Sequence, residues 1–142
     1  MLDLKQISDR IEIGDLLTEY TCAIDSGEWD RLDNVFVPQA RIDYTASGGI
    51  VGDFAEVKPW LAKMLPHFAN RQHVIGQIEV TLDGDTANVV AYFLNPMVMK
   101  EKDGSERLWE FGGLYHHQLI RTEQGWRSRE LVEEIIWRRT AR

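Results

Sequence analysis

The stretch Gln72–Lys100, QHVIGQIEVTLDGDTANVVAYFLNPMVMK, decides how the chain folds. Asp83-Gly84-Asp85 has the chemistry of a hairpin turn, and on both sides of it apolar residues recur at every second position. Ile78, Val80 and Leu82 alternate before the turn, and Ala87, Val89, Ala91, Phe93, Asn95 and Met97 after it. His73 and Ile75 have the opposite parity, which predicts a bulge at Gly76 that returns both sets to one face. The spacing therefore predicts strands over Gln72–Leu82 and Thr86–Lys100. A turn at Lys102-Asp103-Gly104-Ser105 leads into a strand over Glu106–Arg121, with Trp109, Phe111, Gly113, Tyr115 and Leu119 on one side. A last strand over Trp126–Arg138 follows Gln124-Gly125. Strands of this length cannot lie flat; they twist and bend.

Upstream, the period changes to that of a helix. Asp3 and Gln6 make a D-x-x-Q capping box ahead of a helix starting near Leu4. Ile13, Leu17, Tyr20 and Ile24 share one face, Ile7 and Ile11 continue it upstream, and Gly27 suits a left-handed helix end. A short second helix places Trp29, Leu32 and Phe36 together before Pro38 stops it. Ala40–Ala46 alternates as a strand, with Ile42 and Tyr44 on one side, Ser47-Gly48-Gly49 as a turn and Ile50-Val51 as the return. A third helix is predicted over Phe54–Leu65, capped by Asp53 and Glu56, with Pro59 in its first turn or the start displaced, and Pro66 closes it. Helices followed by strands give a single α+β domain over residues 1–142, with three helices on the concave side of a bent antiparallel or mixed sheet. Such a cone has one open end, which suits a small ligand.

A net charge of −7 repels phosphate backbones and anionic lipid, which argues against nucleic-acid and membrane partners. The basic run WRRTAR, with Arg138, Arg139 and Arg142, reads as a solvated tail. Cys22, the single cysteine, leaves no internal disulfide and reads as a buried small hydrophobe. The opening MLDLKQISDRIEIGDLL has no continuous apolar core, so no targeting segment is expected and the cytoplasm is the simplest location. His116 and His117 are adjacent on a strand and point to opposite faces, so they cannot share a metal, and no metal site is expected.

What remains is a set of polar groups inside apolar patterns: Tyr20, Asp25, Tyr44, His73 and Asn95. Buried groups of this kind need partners, since each unpaired one costs about 1–3 kcal/mol. If they converge, they can partner one another. A histidine beside a carboxylate is held in one tautomer and suits proton transfer at a carbon next to a carbonyl. Local readings stay open beside this one. Asp25 with Glu28 spells a D-x-x-E capping box for the second helix, Tyr20 and Tyr44 fit as core aromatics, and His73 fits as a satisfied core histidine.

YTCAIDSGEWDRL (Tyr20–Leu32), ARIDY (Ala40–Tyr44), NRQHVIG (Asn70–Gly76) and GGLYHHQLIRTEQGWR (Gly112–Arg127) together resemble the SnoaL-like group of the NTF2-like superfamily, in order along essentially the whole chain. The likeness is to scytalone dehydratase, bile-acid 7α-dehydratase and hexachlorocyclohexane dehydrochlorinase. It implies an NTF2-like cone with a His–Asp acid/base pair at its mouth. Asp25 and His73 fall on that pair, Tyr20 on a helix tyrosine of the bile-acid enzyme and Tyr44 on a substrate-polarising tyrosine of scytalone dehydratase. Asn95 falls where the bile-acid enzyme has a further carboxylate. Ile24, and the FGGL run at Phe111–Leu114, depart from scytalone dehydratase. The resemblance implies a cofactor-free, dehydratase-like lyase acting on a small cyclic or polycyclic hydroxylated carbonyl compound. Trp60, Met64, Phe68, Phe93, Met97, Trp109 and Phe111 are available to line the cone around it. An isomerase or polyketide cyclase using the same pair, or a non-catalytic ligand-binding or assembly module such as an oxygenase small subunit, are the alternatives. The resemblance also implies a homo-oligomer, a dimer or trimer, and the apolar outer positions Val90, Tyr92 and Leu94 point the same way.

Overall fold

The computed structural model describes residues 1–141; Arg142 of the basic run lies outside the described residues. Helix α1 (Leu4–Ser26) leads through a 3-10 helix (Trp29–Asn34) into β1 (Phe36–Asp43) and, past a 3-10 turn (Thr45–Ser47), β2 (Val51–Asp53). Helix α2 (Phe54–Met64) follows, then a 3-10 turn (Leu65–His67), β3 (Phe68–Arg71) and β4 (Val74–Asp83). Three long strands complete the chain: β5 (Thr86–Lys100), β6 (Glu106–Thr122) and β7 (Gly125–Ala141). The sheet runs β2-β1-β7-β6-β5-β3, with β4 pairing the same edge of β5 as β3. It is mixed, because β1 joins β7 in parallel while the other pairs are antiparallel.

The long hairpin forms as its alternation requires. Ala87, Val89, Ala91, Phe93, Asn95 and Met97 are all buried on the concave face. The register between β4 and β5 slips between Ile75 and Ile78, the bulge expected at Gly76, so Ile75 and Ile78 both share a face with their partners Phe93 and Ala91. A second slip falls between Gly112 and Gly113, where β6 meets β7. A Cβ on Gly113 would stand 2.0 Å from the Glu134 carbonyl oxygen, and one on Gly112 2.1 Å from Nε1 of Trp137. Only glycine lets the two strands close up there and bend the sheet.

Across the concave face lies α1, started by the Asp3–Gln6 capping box and ended by Gly27 at φ 73°. Ile13, Leu17, Tyr20 and Ile24 are buried as their spacing requires, but Ile7 and Ile11 are exposed. Near its N-terminus the helix turns Asp9 to the sheet instead. This carboxylate is 3% exposed and accepts from Arg121 at 2.8 Å and from Trp126 Nε1 at 3.1 Å, with Lys5 at 3.3 Å. Cys22 is exposed rather than buried, because it follows Thr21 round the helix onto the side away from the sheet.

Other expected boundaries shift for local reasons. Phe36 and Pro38 belong to β1, not to a helix, and Pro38 falls where the β1–β7 register slips between Phe36 and Arg41 and no ladder N–H is needed. That strand stops at Asp43, whose carboxylate turns back to accept from Thr45 N–H at 2.9 Å and Thr45 Oγ1 at 2.6 Å. Pro59 sits in the second turn of α2 on its exposed side, while Asp53 N–H donates to Glu56 Oε2 at 3.3 Å to start the helix. The strand expected over Gln72–Leu82 starts only at Val74, after a break that follows β3 at Arg71. His73 sits in the break.

The hydrogen bond from Arg121 holds the Asp9 carboxyl down to about 2, with Trp126 and Lys5 adding to it against the cost of burial. Asp9→Ala leaves Trp126 Nε1 without its acceptor and Arg121 with Asp85 alone, and should lower stability by about 3 kcal/mol in urea unfolding. Because the folded-state value is the lower one, the Asp9 contribution is present above about pH 4 and lost as pH falls towards 2. Acid unfolding of the wild type, compared with Asp9→Asn, checks that window.

Candidate active site

Asp25 occupies the last turn of α1, where a carboxylate faces the negative end of the helix dipole. Nothing about helix stability asks for an acid there. Both of its oxygens are taken by one residue: Oδ2 accepts the His73 backbone N–H at 2.8 Å and Oδ1 the ring Nδ1 at 2.6 Å. Asp25 therefore does not cap the second helix, whose N-cap is Glu28 with no side-chain bond. The same contact explains the break between β3 and β4, since the His73 N–H goes to a side chain rather than to the ladder. Arg71 secures the corner from below, donating Nε to the Ile24 carbonyl at 2.8 Å and lying over the Trp29 ring.

A carboxylate acceptor at Nδ1 places the ring proton there and leaves Nε2 as the bare nitrogen. Among the described residues Nε2 has no hydrogen-bond partner, and the His73 side chain, 5% exposed, lines a cavity of about 360 Å³ under the concave sheet. Asp25 stands behind it, outside the lining. Between the registered pairs Arg71–Met97 and Val74–Leu94, His73 falls beside Asn95. Asn95 is buried in the cavity wall, and its Oδ1 has no partner among the described residues.

On another part of the wall, Tyr20 and Tyr44 share a hydroxyl–hydroxyl bond of 2.5 Å in which either can be the donor. Tyr115 stands edge-on to Tyr20. Burial pushes all three phenols well above their ordinary range, so they remain neutral donors across ordinary pH. Trp60, Met64, Phe68, Met97, Trp109 and Phe111 line the cavity as expected from the sequence. Phe93 does not. Its ring stacks on Tyr115 at 4.0 Å and lies in the core behind the wall.

The sequence reading does not single out Glu133, and it takes His117 only as a neighbour of His116 without reading its burial. Glu133, on the inner face of β7 opposite Tyr115, is 7% exposed and lines the cavity, with Oε1 unpartnered. Burial raises its carboxyl to about 7, with Ser47 pulling against the rise and Asp43 adding to it. His117 is 2% exposed between Tyr20, Phe36 and Tyr115, and burial pushes it down to about 3. Both interrupt apolar alternation, Leu131-x-Glu133-x-Ile135 and Tyr115-x-His117-x-Leu119, the same signal that singles out Asn95. His116 faces out and pairs with Glu134 at 2.7 Å, so the adjacent histidines do diverge. Among the described residues no group of three or more His, Cys, Asp or Glu is placed to hold a metal ion, and no helix is long and apolar enough to cross a membrane.

The chain is similar to known proteins over most of its length. The model of the SnoaL-like domain family matches residues 5–132. A Mycobacterium tuberculosis protein of uncharacterised function is 43% identical over 134 residues, covering 94% of this chain and 89% of that protein. A candidate aromatic ring hydroxylase from Novosphingobium aromaticivorans superposes with a TM-score of 0.84 at 28% identity, covering 95% and 94% of the two chains. A type 2 hexachlorocyclohexane dehydrochlorinase superposes with a TM-score of 0.85 at 17% identity, covering 99% and 94%, a likeness of fold alone. An NTF2-like superfamily protein from Salmonella enterica superposes with a TM-score of 0.75 at 12% identity, covering 90% and 91%, again a likeness of fold alone.

Nitrogen chemical shifts of ¹⁵N-labelled histidine should show neutral His73 as the Nδ1–H tautomer in the wild type and as a mixture in Asp25→Asn. A wild-type ring protonated at Nε2 alone would contradict the geometry. Asp25→Ala also strands the His73 backbone N–H and should cost about 1–3 kcal/mol in denaturant unfolding.

Proposed function

The chain belongs to the SnoaL-like domain family, and on that premise we propose that it is a cofactor-independent lyase of the dehydratase type. The observation that carries the proposal is the Asp25 carboxylate holding His73 by both its backbone N–H and Nδ1, with Nε2 left to an apolar cavity. The substrate is a small cyclic or polycyclic compound with a hydroxyl on the carbon β to its carbonyl. His73 Nε2 takes the proton α to the carbonyl, and charge moves onto the carbonyl oxygen. Tyr20 or Tyr44 donates a hydrogen bond to that oxygen, a contribution of about 3 kcal/mol where water is excluded. The electron pair then forms the C=C bond, the C–O bond breaks, and the proton on Nε2 leaves with the hydroxyl as water. Asp25 keeps the ring oriented and stabilises the imidazolium between the two transfers.

The cavity volume lies at the small end of ligand sites, roughly 300–1,000 Å³, which favours a compact ring compound. The same first proton transfer, returned to another carbon, is isomerase or cyclase chemistry. A rival of a different class draws on the 28% identical hydroxylase relative: a module that binds its ligand, or assembles with an oxygenase, without using the pair. Self-association into a homo-oligomer is part of our reading, supported by the exposed Val74, Tyr92, Leu94, Ile136 and Trp137 on the outer sheet face.

With a panel of β-hydroxy cyclic ketones, turnover is followed by the appearance of enone absorbance. His73→Ala and Asp25→Asn should each reduce it by about 10²–10⁴-fold while circular dichroism stays that of the wild type. A folded His73→Ala that keeps wild-type turnover, or a wild type inert towards the whole panel, removes the lyase reading.

A further inference from the structure

The mechanism above leaves a buried carboxyl group in the cavity without a task. Glu133 projects from β7, two strands across the sheet from the Asn95 strand, a span of about 10 Å in the hydrogen-bonding direction. Its partner Tyr115 pairs in turn with Ala91, so Glu133 also lies deeper in the cone than Asn95, beside which His73 falls. The cavity thus has polar groups at two places across the sheet, His73 with Asn95 at β5 and Glu133 on β7, with Trp109, Phe111 and Tyr115 of β6 between them. Among the described residues neither Asn95 Oδ1 nor Glu133 Oε1 has a partner, although both residues are more than nine-tenths buried. Orphaned groups of this kind are costly in an empty core and useful only where a ligand completes them.

We infer that Glu133 is a specificity-determining group that donates a hydrogen bond from its carboxyl to a ligand oxygen on the β7 wall. The cavity then takes a ring compound with oxygen functions at both ends, one handled by His73 and the other read by Glu133. The inference deepens the lyase reading and rests on it for the ligand's orientation. A neutral carboxyl has one donor to offer a ketone or ether oxygen; an ionised one has none. An apolar site that holds an acid neutral selects against anionic ligands at the same place.

The groups facing Glu133 are Tyr20 of α1, Asp43 at the end of β1, Tyr44 just after it, and Tyr115 of β6. Burial holds the three phenols above their ordinary range and the Thr45 hydroxyl holds Asp43 below its own, so none of them changes charge between about pH 5 and 9. His73 and His67 also line the cavity and must be separated by experiment.

The probes are 1-tetralone and tetralin, one bicyclic skeleton with and without a carbonyl oxygen, titrated calorimetrically into the full chain. Affinity for 1-tetralone should fall about tenfold between about pH 5.5 and 8.5 as Glu133 ionises, while that for tetralin stays level. Glu133→Gln, whose amide donates at every pH, should keep the low-pH affinity for 1-tetralone throughout. Glu133→Leu should bind 1-tetralone more weakly than the wild type does at about pH 5.5, with no change over that pH range. A pH dependence that survives in Glu133→Gln, equal affinity of the wild type for both probes, or no binding of 1-tetralone at about pH 5.5 overturns the inference. His73→Ala should keep the tetralone profile while losing turnover, so failure of the proton-transfer chemistry and failure of the Glu133 role give different results.

Discussion

One carboxylate at the end of one helix organises this molecule. Asp25 spends both oxygens on His73, and each bond has a separate structural effect. The bond to the backbone N–H interrupts the sheet edge between β3 and β4, so that a residue that would have been one more rung turns its side chain inward. The bond to Nδ1 sets the tautomer. Helix dipole, strand continuity and acid placement all argue against this arrangement taken singly, and the stability forgone is offset by charge-assisted hydrogen bonds.

The remainder of the fold serves to hold that corner against a curved floor. Arg71 ties the end of α1 to the end of β3, two residues before His73, and Gly27 permits the chain to leave the helix beside the Arg71 guanidinium. At the other end of the helix, the buried Asp9 network with Arg121 and Trp126 clamps α1 to β6 and β7. With both ends fixed, the span between them can carry Tyr20 over the cavity without freedom to shift. The glycine pair at Gly112 and Gly113 supplies the complementary bend in the sheet.

Much of this was legible in the sequence because it rests on period and on turn chemistry. The β4–β5 hairpin, its bulge, the limits of β5 and the two capping boxes are local features, written in residues close together. The inward positions of Tyr20, Tyr44 and Asn95 were visible as polar residues in apolar slots. What local pattern could not carry was any competition settled at long range. The spacing of Asp25 and Glu28 suits a cap, and only His73, 48 residues away, outbids the helix N-terminus for that carboxylate. Ile7 and Ile11 fit an apolar stripe, yet the sheet presents Arg121 and Trp126 at that point, and Asp9 answers them. Phe93 sits at the right parity but behind Tyr115, a matter of depth that alternation does not encode. Glu133 and His117 carried the same signal as Asn95 and were open to the same reading.

The shared bond between Tyr20 and Tyr44 has a last implication. Two hydroxyls have two protons, and one is always committed to the bond between them, so the pair presents a single free donor. Which ring presents it depends only on the sense of the bond. Reversing that sense rotates two light atoms and leaves every heavy atom in place. The wall thus has two settings a few ångströms apart that differ only in where protons sit, reached without any rearrangement of the rigid cone.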